Sequence, residues 1–143
     1  MTDISKTEVA LEKFSQKELG DVKVLMVEDD LFFSDMILTG LSQKGCIPYT
    51  TADGSKAIGL AEQYLPDVII LDLMLPELSG EEILKQLKSR DDLKDIPVIV
   101  FSNKSESDGI KAVMEAGAAK YLVKSATEFS TLIDVVKTLI KTP

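Results

Sequence analysis

From Lys23 onward, short runs of β-branched and other apolar residues alternate with longer stretches in which apolar positions recur every three or four residues. Five such repeats predict an α/β domain built on a parallel sheet. The strands read from the pattern are Lys23 to Val27, Cys46 to Thr51, Val68 to Leu71, Val98 to Phe101 and Lys120 to Val123. Three of these, Val24-Leu-Met-Val, Val68-Ile-Ile-Leu and Val98-Ile-Val-Phe, are apolar throughout. A strand covered on both faces by helices has no position left for a polar side chain, so these three are expected in the middle of the sheet.

The intervening segments carry helix ends. Asp30 caps the first helix, with Phe33, Met36, Ile37 and Leu41 on its inward face and Gly45 as its stop. A second helix lies between Ala52 and Leu65, with Ile58 and Ala61 facing inward, and Ser79 with Glu82 forms a capping box for a third, after Pro76. The fourth runs from about Ser107 to Ala116 and stops at Gly117. Thr127 caps the last, whose inward stripe is Leu132, Val135, Val136 and Leu139.

Residues 1–20 stand outside the alternation. Their mixed charge, their isolated Ile4, Val9, Leu11, Phe14 and Leu19, and the capping-box spacing of Ser5 and Glu8 predict a weakly amphipathic helix ending near Gly20. Packing on the domain, association and a free tail are all open for it. The domain proper is expected over residues 21–143.

Composition narrows the chemistry. A chain of 143 residues fits one domain, and no apolar run approaches the length of a membrane span. With no secretory signal and Cys46 as its only cysteine, the chain is expected to be soluble and cytoplasmic. Sixteen basic against 24 acidic residues give a net charge of −8 with no basic patch, so neither nucleic acid nor membrane is an expected partner. Histidine is absent, which excludes a Ser-His-Asp triad, a histidine-ligated metal and a phosphohistidine. Carboxylates, lysine and hydroxyls remain.

In an open parallel sheet, ligands bind beyond the carboxyl ends of the strands. There the chain places Glu28-Asp29-Asp30 after the first strand, Asp72 after the third, Ser102 after the fourth and Lys124 after the fifth. Clustered carboxylates repel one another unless a cation neutralises them. Mg²⁺ prefers oxygen ligands and keeps several waters, which fits Asp29 and Asp72 as direct ligands with Glu28 acting through water. An aspartate carboxylate is also a nucleophile toward phosphorus. Lys124 and the Ser102 hydroxyl then suit the phosphoryl oxygens.

These residues resemble the receiver domain of two-component response regulators. The resemblance covers Asp21 to about Lys141 and rests on Val24-Leu-Met-Val-Glu-Asp-Asp, on Val68-Ile-Ile-Leu-Asp-Leu-Met-Leu-Pro-Glu-Leu-Ser-Gly, on Val98-Ile-Val-Phe-Ser, on Ala116-Gly-Ala and on Tyr121-Leu-Val-Lys. It implies a doubly wound, flavodoxin-like sheet of order 2-1-3-4-5 with helices on both faces. It also implies that Asp72 is the phosphoacceptor, that Glu28 and Asp29 form the acidic metal site, and that Met74 lends its backbone carbonyl to Mg²⁺. Ser102 and Lys124 match the hydroxyl and ammonium that hold the phosphoryl group, and Tyr121 matches the aromatic whose rotamer follows phosphorylation.

Two positions depart from the family's pattern: Ser125 stands where a proline usually follows the lysine, and Asn103 where a very small residue usually follows the hydroxyl. A hydrolase of the haloacid dehalogenase type needs a second carboxylate two residues after the nucleophile, where this chain has Met74. A flavin-phosphate module would be repelled by Glu28-Asp29-Asp30. A receiver that docks without being phosphorylated is the remaining alternative. The expected phosphodonor is a histidine kinase or phosphotransfer protein, docking on Leu31, Leu38 and the neighbouring Phe32. The chain ends at Pro143 with no output domain, so the signal is expected to leave through the fourth helix, fifth strand and fifth helix, toward a protein partner or a second copy.

Overall fold

The computed structural model describes residues 18–104 and 107–140. The predicted helix over residues 1–20 lies outside them except at its end, where residues 18–21 form a turn and Leu19 is buried. Five strands, β1 (Lys23–Val27), β2 (Ile47–Thr51), β3 (Val68–Leu71), β4 (Val98–Ser102) and β5 (Lys120–Val123), form one parallel sheet of order β2-β1-β3-β4-β5. The three continuously apolar runs are the three interior strands. Their alternate residues face opposite sides. Val24, Met26, Val68, Ile70, Ile99 and Phe101 enter one core, and Leu25, Val27, Ile69, Leu71, Val98 and Val100 the other.

Helices α1 (Leu31–Gln43) and α5 (Phe129–Ile140) cover the first face, while α2 (Ala57–Tyr64), α3 (Gly80–Ser89) and α4 (Ser107–Glu115) cover the second. Two caps form as expected: Asp30 accepts from the Phe33 amide and Ser79 from the Glu82 amide. Gly45 and Gly117, at φ 98° and 113°, reverse the chain after α1 and α4, a conformation that an L side chain resists.

Several local expectations need correction. Met36 is 55% exposed and not inward, and Leu38 is half-buried against the core instead of facing away. The buried line of α1 is Ser34, Ile37 and Leu41. A stripe tilted toward Ser34 draws Leu38 in and turns Met36 out. The second helix starts as a 3-10 turn, Gly54–Lys56, before α2, because the Asp53 side chain caps the Ser55 amide. Thr127 does not open α5: its hydroxyl donates back to the Val123 carbonyl at 2.7 Å and closes a 3-10 turn over Lys124–Ala126. Among the described residues no peptide bond is cis, so Lys124–Ser125 is trans. No helix among them is long and apolar enough to cross a membrane.

Candidate functional site

The carboxyl ends of β1, β3, β4 and β5 meet at one edge of the sheet. The ladder sets their positions: the Asp72 amide donates to the Val27 carbonyl at 3.0 Å, and the Glu28 amide to the Thr51 carbonyl at 3.1 Å. Each carboxylate thus leaves the sheet at the level of its neighbour. Glu28, Asp29 and Asp72 each offer a carboxylate oxygen within 4.8 Å of the others. Glu28 and Asp72 are buried, whereas Asp29 is exposed.

Lys124 reaches this cluster from the far side of the sheet. Its Nζ lies 2.7 Å from Glu28 Oε2 and 3.0 Å from Asp72 Oδ2, and 4.6 Å from the centre of the Phe33 ring. A ring face below the ammonium attracts it and excludes water. Phe33 is in turn braced by Phe101, with ring centroids 5.7 Å apart. Phe33 was read as a core residue only, and nothing in its spacing marked it as the floor under a lysine.

The electrostatics follow from burial and neighbours. Burial first, then the nearby Asp72, push the Glu28 carboxyl up to about 7 despite the bond from Lys124. Burial also pushes Asp72 upward, but the Met74 amide at 3.1 Å, Glu28 and Lys124 outweigh it and hold Asp72 below the ordinary aspartate value. For Lys124, burial favours the neutral amine, yet the two carboxylates prevail and its pKa is raised. Asp72 is thus a buried carboxylate favoured in its ionised form and paired with an ammonium.

The donor set suits a hard divalent cation: three carboxylates with no nitrogen or sulfur ligand among them. Met74 gives its amide to Asp72, and its side chain is 61% exposed, so only its backbone takes part in the site.

Ser102 is buried at the end of β4, where its hydroxyl oxygen accepts from the Lys104 amide at 3.4 Å. Tyr121, half-buried in β5, donates its hydroxyl to the Lys104 carbonyl. One residue therefore links the two sides: Lys104 gives its N–H to Ser102 and its C=O to Tyr121. Its ammonium also pairs with Glu81 of α3 at 3.3 Å. Ser102 and Tyr121 are joined through the backbone of this one residue, which sequence spacing did not reveal.

Gly80 is a second residue whose role went unread, although it closes the motif after Asp72. A Cβ there would lie 2.4 Å from the Asp72 carbonyl oxygen and 2.6 Å from Leu73 Cα. Only glycine lets α3 begin against the backbone that carries Asp72.

Comparison with known proteins gives the following. A family model described as "Response regulator receiver domain" matches residues 24–137. The transcriptional regulatory protein PrrA of Mycobacterium tuberculosis is 36% identical over 119 residues, covering 83% of this chain and 50% of PrrA. The chain spans about half the length of that curated relative. Among solved structures, the Mn(2+)-bound form of response regulator Rcp1 is 30% identical with a TM-score of 0.67, covering 83% of this chain and 89% of Rcp1. The phosphorylated cyanobacterial phytochrome response regulator RcpA is 32% identical with a TM-score of 0.71, covering 84% and 91%.

Proposed function

This chain belongs to the response regulator receiver domains of two-component signalling, and we propose that it is a switch that accepts a phosphoryl group on Asp72. The observation that carries the reading is the buried Asp72 carboxylate, kept ionised by the Met74 amide and the Lys124 ammonium inside a cluster of three carboxylates.

Asp29 and Asp72 would hold Mg²⁺, with Glu28 acting through water and the Met74 carbonyl as a backbone ligand. The bound ion supplies positive charge to the phosphoryl oxygens. An Asp72 carboxylate oxygen attacks phosphorus, forming an O–P bond as the donor's P–N or P–O bond breaks, and the electron pair leaves with the donor. Lys124 holds a phosphoryl oxygen, which weakens its hold on Glu28. Ser102 turns its hydroxyl to another oxygen and gives up the Lys104 amide. The Lys104 backbone then shifts, and Tyr121 loses the carbonyl that its hydroxyl holds. The surface of α4, β5 and α5 is remodelled, and a protein partner that prefers the new face favours the phosphorylated state in return.

Receiver domains take their phosphoryl groups from histidine kinases, and a histidine kinase or phosphotransfer protein is the donor proposed here. Acting as a switch and not as an enzyme fits a site with Met74 where a hydrolase would carry its second carboxylate. Intact-mass measurement after incubation with Mg²⁺ and acetyl phosphate tests the reading. One phosphoryl adduct on the wild type and none on Asp72→Asn is expected. An unlabelled wild type, under conditions that label another receiver, would leave a phosphorylation-independent docking module as the better account.

A further inference from the structure

The Lys124 ammonium reaches its carboxylates from a long flexible stem, so its aim depends on how firmly its own backbone is held. On one side the hold is the sheet, whose β4–β5 ladder ends at the pair Ser102 and Val123. On the other side, one residue beyond that pair, the Asn103 carboxamide oxygen accepts from the Ser125 amide at 2.9 Å. Lys124 therefore sits between two tethers to the same strand, Val123 through the ladder and Ser125 through Asn103. Among the described residues, the backbone of the 3-10 turn that starts at Lys124 closes on itself, through Thr127 to Val123 and Lys124, and the Asn103 bond is what ties that turn to the end of β4. The bond also requires the particular residues present: an acceptor on a short side chain at 103 and an N–H at 125.

We infer that Asn103 is a positioning residue for Lys124, its carboxamide clasping the Ser125 amide so that the ammonium is delivered to the phosphoryl oxygens. The inference rests on the reading of Asp72 as phosphoacceptor and adds to it a residue whose side chain acts through the backbone beside Lys124. Asn103 and Ser125 are both exposed, so water competes for the bond and its effect is moderate.

Beryllofluoride, a phosphoryl mimic, provides the measurement. With Mg²⁺ present, Asn103→Leu, which keeps the side-chain size and removes the acceptor, is expected to weaken beryllofluoride binding about 3- to 10-fold. Affinity for Mg²⁺ alone should stay within about twofold, since the clasp acts through the ammonium. Ser125→Pro, which removes the donor, should match that loss, and combining it with Asn103→Leu should add nothing further. In a Lys124→Ala background Asn103→Leu should have no effect. An unchanged affinity in Asn103→Leu, or an equal loss with and without Lys124, overturns the inference. If the wild type binds no beryllofluoride, the phosphorylation reading fails, and the Lys124 side-chain ammonium resonance in the metal-free protein decides this one separately. Displacement toward the solvent-exposed lysines in Asn103→Leu supports the clasp, and an unmoved resonance overturns it.

Discussion

The Lys124 ammonium lies nearer to Glu28 than to Asp72, 2.7 Å against 3.0 Å. In the metal-free protein the lysine is thus the internal counter-ion of the acidic cluster. Removing it with Lys124→Ala leaves buried carboxylates unpaired, at an expected cost of about 3–5 kcal/mol in metal-free stability. The variant should bind Mg²⁺ as tightly as the wild type or more tightly, because the competing cation is gone, while beryllofluoride affinity falls about tenfold or more. Calorimetric titration of each ligand checks both. A collapse of Mg²⁺ affinity would show that the ammonium does not compete for the cluster.

Glu28 should make metal-free stability depend on pH. Its carboxyl is pushed up to about 7 in the folded protein, whereas an unfolded glutamate titrates near its ordinary value of about 4.3. Between those values the folded state binds more protons than the unfolded one, so stability falls as pH rises through the interval and levels off above it. Asp72, held below its ordinary value, acts in the opposite direction, at pH below the usual aspartate range. Urea denaturation in a chelator from pH 5 to 8 should therefore show a decline of about 1–3 kcal/mol, and Glu28→Gln should flatten it. An unchanged slope in Glu28→Gln would assign the dependence to other groups.

Gly80→Ala should be far more damaging than a surface glycine replacement. The new methyl would meet the Asp72 carbonyl oxygen at 2.4 Å and Leu73 Cα at 2.6 Å, both of them backbone atoms that cannot rotate away. A loss of about 2–4 kcal/mol is expected, with a drop in phosphoryl acceptance as Asp72 is displaced. Gly59, whose added Cβ meets nothing within 4 Å, is the control, and Gly59→Ala should be neutral or stabilising. Equal melting temperatures for the two variants would contradict the close approach.

On the surface beside the site, Leu31 and Phe32 are 69% and 86% exposed. Large apolar groups this open are apt anchors for a protein phosphodonor. Replacing both by serine should slow transfer from a histidine kinase or phosphotransfer protein about tenfold or more and spare transfer from acetyl phosphate. Equal slowing with both donors would locate the damage in the site itself. Leu38 is a poor choice for this test because its side chain is partly engaged in the core.

Much of this architecture was legible in the sequence because the interior strands leave no room for polar residues. Val68-Ile-Ile-Leu followed by Asp72 has one sensible reading once β3 is buried on both faces, and the same logic exposes Glu28, Ser102 and Lys124 at the ends of their strands. Strand order came from resemblance and not from pattern, since hydrophobic periodicity carries no information on which strands are neighbours. Helix phase was misjudged for Met36 and Leu38, because apolar residues alone set the predicted stripe, whereas the buried line includes the polar Ser34, which donates its hydroxyl to the Leu31 carbonyl at 3.3 Å. The contacts that no pattern announced are those between segments distant in sequence, such as Asn103 with Ser125 and Tyr121 with Lys104.

The bond between Lys124 and Glu28 joins residues 96 positions apart, one after the first strand and the other after the last. Closing so long a loop carries an entropic cost, and Lys124 is the last of the site's residues in chain order. A nascent chain that has released β1 through β4 holds its carboxylates without the ammonium that balances them. Competence at the site thus arrives with the docking of β5, and a partly folded chain has no balanced charge cluster to offer a phosphodonor.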